Sequence, residues 1–357
     1  MLKLFRLVLM ILLALLFSPI MHVYASQSAG NISLPAWFSP CFDGSIIEFL
    51  TGFEKQTHVI SRQASQQAKL IDMSDADACE KKNKTVLPQE FRLGKANIQF
   101  QGGAHKDRKA QIIEEPGAPD NQVLQFWLQK PNVLGSDQLP LKGRVQMNVY
   151  DNKNVRHVRM SVRMYLHPDF NYVRSYPGEM NWLTISEWWN NAGWTNELFP
   201  FRIAVNIIKE NPKKFSPLVF KAHAQIQTSD TRTGRKRWSQ EIWENVNRDF
   251  IIPVGQWVTL EYGFLEGNKQ NGHFFLAATV EGGKRVVIFN IGDYTQHPDD
   301  PNPDGLSHFN PIKLYTSSKL TEHVRSQGGA LQILWDDLQL TVCPTKQKTS
   351  DSACAIR

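Results

Sequence analysis

Cysteine is scarce, with four in 357 residues, and the four follow no zinc-ligand spacing. There is no Lys/Arg run interleaved with aromatics and no nucleic-acid motif, so a DNA or RNA partner is not expected. After Phe17 no apolar run approaches the roughly 20 residues that a membrane helix needs. Charge of one sign is also scarce. The formal net charge of +6 falls to +4 once Lys3 and Arg6 are set aside, which points to acidic partners only if the charge is focused. Hydrophobic residues make up 41%, which excludes a disordered chain.

The first positive feature is a leader. Lys3 and Arg6 precede the apolar run from Leu7 to Phe17, Pro19 follows, and Val23-Tyr24-Ala25 offers small residues for cleavage. This predicts a secretory signal peptide over residues 1–25, and hence a secreted or periplasmic protein with no membrane contact after its removal. No cysteine follows the run closely, so a lipid anchor is not expected. In an oxidising compartment Cys41, Cys79, Cys343 and Cys354 should form two disulfides. Three pairings are open, and Cys41–Cys79 with Cys343–Cys354 are the sequence-local ones.

Residues 26–90 read as an N-terminal extension stapled by a disulfide. Ser45–Phe53 is helical or strand-like in its spacing, and Gln63–Lys81 is Ala-rich and helix-like. From 91 to 343 the pattern becomes many short alternating strands divided by Gly, Pro, Asn and Asp, with 344–357 as a tail. Candidate strands include His157–Leu166, Trp182–Trp189, Phe201–Ile208, Leu218–Gln227, Trp257–Leu265 and Leu331–Val342. Strands at this spacing with few helical windows predict an all-β fold, a jelly-roll β-sandwich.

Several strands carry one apolar face and one face of Arg, Lys, His and Gln. Val158, Met160 and Val162 alternate with Arg159, Ser161 and Arg163, and Phe220, Ala222 and Ala224 alternate with Lys221, His223 and Gln225. Phe201, Ile203 and Val205 alternate with Arg202 and Asn206. In a jelly roll the outer face of the bent sheet forms a groove. Strict alternation along Trp182–Asn191 puts Leu183, Ile185, Glu187 and Trp189 on one side and Thr184, Ser186, Trp188 and Asn190 on the other. A carboxylate between indoles, with amides at the strand exit, suits a sugar: aromatic faces stack on pyranose rings, and carboxylates and amides bond hydroxyls. A basic, amide-rich groove suits an anionic polysaccharide as partner.

The region from about Phe91 to Val342 resembles the concanavalin A-like jelly-roll polysaccharide lyases, the group that includes heparin lyase and alginate lyase relatives. The similarity rests on Gly143-Arg144-Val145-Gln146-Met147-Asn148, His167-Pro168-Asp169-Phe170, Ile185–Asn190, Pro253-Val254-Gly255-Gln256-Trp257, Lys313-Leu314-Tyr315-Thr316 and Leu334-Trp335-Asp336-Asp337-Leu338. Two motifs depart from that family. Gln146 stands where an Arg-x-Glu strand would place its acid, and Glu187-Trp188-Trp189 stands where Gln-x-His is usual. The resemblance implies β-elimination from a uronate polysaccharide, and a lectin-like binder on the same scaffold is the alternative. The acidic motif of jelly-roll glucanases is absent.

Elimination needs a group that neutralises the uronate carboxylate, a base for the C5 proton and an acid for the leaving oxygen. Arg144, Arg202 and Lys221 are candidate neutralisers. His223 is a candidate base, Tyr315 a candidate base or acid, and Glu187 could orient His223 or bind hydroxyls. Trp188, Trp189, Asn190, Arg159, Gln225 and Lys313 complete the expected substrate-binding set. No cofactor is required. Asp293, Asp299, Asp300, Asn302 and Asp304 crowd one loop whose oxygens could hold a structural calcium ion. A monomer is expected.

Overall fold

Alternating apolar and polar side chains build two antiparallel sheets. The computed structural model describes residues 47–54, 57–61, 67–71, 95–135, 137–191, 198–211, 214–229 and 236–343. One sheet has eight strands. Its order is β16 (Arg285–Gly292), β15 (His273–Val280), β14 (Trp257–Leu265), β9 (His157–Leu166), β19 (Leu331–Val342), β6 (Ala118–Leu128) and β5 (Arg108–Glu115). There β1 (Ile47–Thr51) pairs with the far half of β19.

The second sheet has eleven strands. It runs β13 (Lys236–Asn247), β12 (Leu218–Ser229), β11 (Phe201–Lys209), β10 (Thr184–Asn190), β17 (His308–Asn310), β8 (Pro140–Tyr150), β4 (Lys95–Gln99), β3 (Gln67–Ile71) and β2 (His58–Ser61). β18 (Lys313–Ser317) lies beside β17's line, between β10 and β8, and β7 (Val133–Leu134) pairs with β8. Two short helices complete the described chain, α1 (Phe170–Arg174) and α2 (Ser318–Ser326). α2 follows β18 without a gap, and the Ser317 hydroxyl caps it by accepting from the Leu320 N–H at 3.2 Å.

The core lies between the sheets. β9 contributes Val158, Met160, Val162, Met164 and Leu166, while its polar partners face out. Opposite it, Trp188 is fully buried and lies flat between Phe264 and Phe309, with ring centroids 5.9 and 5.6 Å away. The all-β jelly-roll sandwich expected from the alternation is the fold observed. The described part of the expected N-terminal extension is built into the sheets as β1, β2 and β3. Gln67–Ile71 is a strand where Ala-rich composition suggested helix, because pairing with β4 overrides a weak local propensity. Cys343 is buried just past the end of β19. Cys41, Cys79, Cys354 and the leader lie outside the described residues. No helix among the described residues is long and apolar enough to cross a membrane.

Candidate functional site

The outer face of the larger sheet carries a groove of about 1090 Å³. That is just above the usual range of about 300–1,000 Å³ for small-molecule pockets. Register sets its side chains in rows across the strands. One row is Arg144, Tyr315, Thr184, Asn206 and Lys221. The next is Asn310, Glu187, Ala204, His223 and Glu244. A third is Tyr150, His308, Trp189, Arg202, Gln225 and Glu241.

A bulge decides which residues of β10 join. The ladder slips between Thr184 and Ser186, so strict alternation fails there. Leu183 and Ile185 stay in the core, while Thr184, Glu187 and Trp189 line the groove. The sequence parity that grouped Leu183 and Ile185 with Glu187 is therefore corrected.

At the floor, Glu187 is 2% exposed and holds two cations. Its Oε1 lies 3.2 Å from Arg202, and its Oε2 accepts a short hydrogen bond from Lys313 Nζ. Burial pushes the Glu187 carboxyl up. Lys313 and Arg202, with Arg144 adding, outweigh it and hold the group at about 2. Burial pushes the Lys313 ammonium down to about 7, with Glu187 opposing. Lys313 also donates to Asn310 Oδ1 at 3.0 Å, and Asn310 donates to Asn148 Oδ1 at 2.8 Å. Asn148 in turn donates to Asn97 Oδ1 at 2.8 Å, and Gln146 donates to Gln99 Oε1 at 3.0 Å. One wall is thus a ladder of amides that bond one another across the strands.

Beside this chain stands Tyr315. The Arg144 guanidinium lies 4.3 Å from its ring centroid, Lys313 Nζ 4.9 Å and Lys142 Nζ 5.3 Å. Trp182 packs on the same ring at 5.2 Å. Three groove cations have an anionic partner: Lys313 and Arg202 share Glu187, and Lys221 pairs with Glu244 at 2.5 Å. Among the described residues Arg144 and Lys142 have no carboxylate within ion-pair distance, and Arg144 acts on Glu187 only at longer range. Arg144 Nε and Gln146 Oε1 are buried there without a hydrogen-bond partner.

The structure gathers Arg144, Glu187, Tyr315, Trp189, Arg202, Lys221, His223, Gln225 and Lys313 in this groove. His223 stands apart from Tyr315. Three strand spacings separate β12 from β18, about 14 Å at the usual 4.8 Å per strand. His223 Nδ1 is 3.0 Å from Glu241, and Nε2 is 3.5 Å from the Asn206 amide. Burial, reinforced by Arg202 and Lys221, lowers His223 to about 3, so the ring is neutral. Burial, reinforced by Lys313, does the same to His308.

Three expected contacts are corrected. Arg159 stands on the outer face of the other sheet, beside Gly263 and Thr341. Trp188 is a core residue. Asn190 is buried and donates to Glu266 at 2.6 Å. Replacing Trp188 by Phe should therefore cost about 1–3 kcal/mol of stability, read by urea unfolding. In the loop before β17, Asp300 accepts from Asn191 and from the Asn302 N–H, both at 3.0 Å, which makes it a hydrogen-bonded turn. Among the described residues Asp293, Asp299, Asp300 and Asp304 do not converge as metal ligands; the set that does is His223, Glu241 and Glu244.

Trp182 and Asn206 fall on expected strands but outside the expected site, and the sequence does not single out Asn97, Gln99, His308 and Asn310. Of the groove tryptophans, Trp189 is 5% exposed, whereas Trp182 is half-buried and presents a face. For a ring-shaped ligand that stacks in this groove, Trp182→Ala should weaken binding about tenfold, near the 1.4 kcal/mol that a stacked ring supplies, and more than Trp189→Ala does. Titration calorimetry on both variants measures the ranking.

No protein-family model matches the chain, and no curated protein sequence matches it. Solved structures similar to it include a PL-14 alginate lyase from Aplysia kurodai, with TM-score 0.44 and 9% identity over 69% of this chain and 90% of that one. An endo-β-1,4-glucuronan lyase from the fungus Trichoderma reesei gives 0.38 and 11% over 67% and 91%. The exoplasmic/lumenal domain of VIP36, bound to Ca²⁺ and Man3GlcNAc, gives 0.36 and 9% over 71% and 86%. At such scores, any chemistry for this chain has to come from its own groove residues.

Proposed function

We propose that the groove binds an anionic, uronate-containing polysaccharide and cleaves it by β-elimination. The observation that carries this reading is Arg144, a groove-lining guanidinium with no carboxylate partner among the described residues, set against the Tyr315 ring. A uronate carboxylate is the complementary charge. Bound there it is neutralised, which acidifies the C5 proton. Tyr315 is the neighbouring hydroxyl, and no hydrogen bond among the described residues engages it.

The bond changes balance without water. Tyr315, as phenolate, takes the C5 proton. That electron pair forms the C4=C5 double bond, the C4–O bond breaks, and the phenol returns a proton to the leaving oxygen. Glu187 holds Lys313 and Arg202 in place and keeps the floor from being wholly cationic. His223, remote from Tyr315, serves the far end of the groove. The leader pattern supports export, to the periplasm or outside the cell.

A binder without turnover is the second reading, favoured by the separation of His223 from Tyr315 and by the amide-rich wall. A panel of uronate and neutral polysaccharides decides between them, with ultraviolet absorbance of the unsaturated product read beside binding. Absorbance growth on a uronate polymer that disappears in Arg144→Ala supports the lyase. Saturable binding with no absorbance change on any uronate polymer leaves the binder, and no binding at all ends both readings.

A further inference from the structure

We propose that His223, Glu241 and Glu244 form a binding site for a divalent transition-metal ion of the zinc type at the β12–β13 end of the groove. The site needs neither turnover nor the lyase reading.

The first support is how the strand is built. Glu241 and Glu244 are three residues apart, so regular alternation would put them on opposite faces. Across β12, Ala224 faces Trp243 and Gln225 faces Glu241, which leaves Ile242 as an extra residue. That bulge sends Ile242 and Trp243 toward the core and turns both carboxylates to the groove face, beside His223.

The second support is distance. One ligand atom from each of the three lies within 4.8 Å of the others, and His223 Nδ1 is 3.0 Å from Glu241 Oε1. Two ligands each about 2.0–2.2 Å from a tetrahedral zinc stand roughly 3.3 Å apart. The ring and that carboxylate are thus nearly at ligation spacing, and Glu244 is exposed and held beside them by Lys221. Imidazole with carboxylates favours zinc, whereas calcium takes oxygen alone.

The surroundings accommodate the ion. A metal on Nδ1 requires a proton on Nε2 and an acceptor for it. Asn206 sits 3.5 Å from Nε2, and its oxygen accepts from the Thr184 hydroxyl at 2.8 Å. Turning the amide over presents its oxygen to Nε2, and the Thr184 hydroxyl, able to accept as well as donate, keeps its bond. Glu244 offers Lys221 one oxygen, Oε2, and retains the other. The remaining coordination position faces the groove, where water or an acidic ligand completes it.

The test is calorimetric titration of the chelator-stripped, leader-free full chain with zinc chloride, and with calcium chloride in parallel. One equivalent of zinc should bind, with calcium at least about tenfold weaker. His223→Ala and the double variant Glu241→Gln/Glu244→Gln should each lose about tenfold or more of zinc affinity, while exposed His105→Ala loses none. The glutamine variant keeps side-chain volume, and its urea midpoint verifies that it is folded when titrated. Absence of zinc binding, equal binding in all variants, or a preference for calcium overturns the site. None of these results bears on the absorbance assay.

Discussion

Tyr315→Phe is expected to lower formation of the unsaturated product by about 10²–10⁴-fold while glycan affinity stays near that of the parent. The hydroxyl is the part removed. The ring that packs on Trp182 and beneath Arg144 remains, so the groove keeps its shape. Arg144→Lys should instead reduce both affinity and rate. An ammonium keeps the charge but loses the planar fork that lies on the ring and pairs with a carboxylate. Initial rates by absorbance, with binding measured separately on the same variants, give the pattern. If Tyr315→Phe turns over like the parent, Tyr315 is not the proton-transfer group.

Glu187→Gln should cost about 3–5 kcal/mol of stability, because it strands Lys313 and Arg202 as buried cations. The carboxylate is also the acid-sensitive member. Its folded value of about 2 lies below the ordinary 4.5, so its contribution is fully present above pH 4.5. It is lost as pH falls through 2. That shift corresponds to roughly 3 kcal/mol, at about 1.4 kcal/mol per pH unit. Urea midpoints between pH 7 and pH 2.5 should fall steeply for the parent and less steeply for the glutamine variant. Parallel curves would show that Glu187 does not hold this acid-sensitive charge. Replacing Lys313 by Met together with Glu187→Gln should recover part of the loss, since an apolar chain of similar length needs no counter-charge.

Much of this molecule was readable because period two is a strong signal. His157–Leu166, Trp257–Leu265 and Leu331–Val342 have the bounds the alternation implied. The polar faces of β11 and β12 were legible for the same reason, and they hold Arg202, Lys221, His223 and Gln225. Period two gives the face of a strand but not its sheet, which is why Arg159 was grouped with the groove. Its strand alternates as cleanly as β12 but belongs to the opposite layer. Bulges were invisible. One in β10 moves Thr184 to the groove, and one in β13 does the same for Glu241, in a strand whose broken alternation hid it altogether. β17 is three residues long, too short for any period, so His308 and Asn310 went unnoticed. Trp188 and Trp189 show the limit of composition: adjacent indoles face opposite ways, and one of them is core.

β18 lies between β8 and β10, and it belongs to the last part of the described chain. Tyr315 and Lys313 therefore reach the floor of the groove only when most of the chain has been made. A nascent chain that stops before β17 and β18 has Arg144 and Glu187 on two strands with a gap between them, and two unpaired edges open to other chains. Closing that gap joins distant parts of the sequence, a slow kind of event in folding. Under the proposed function, polymer recognition is thus tied to the late strands: an unfinished copy holds only half a groove.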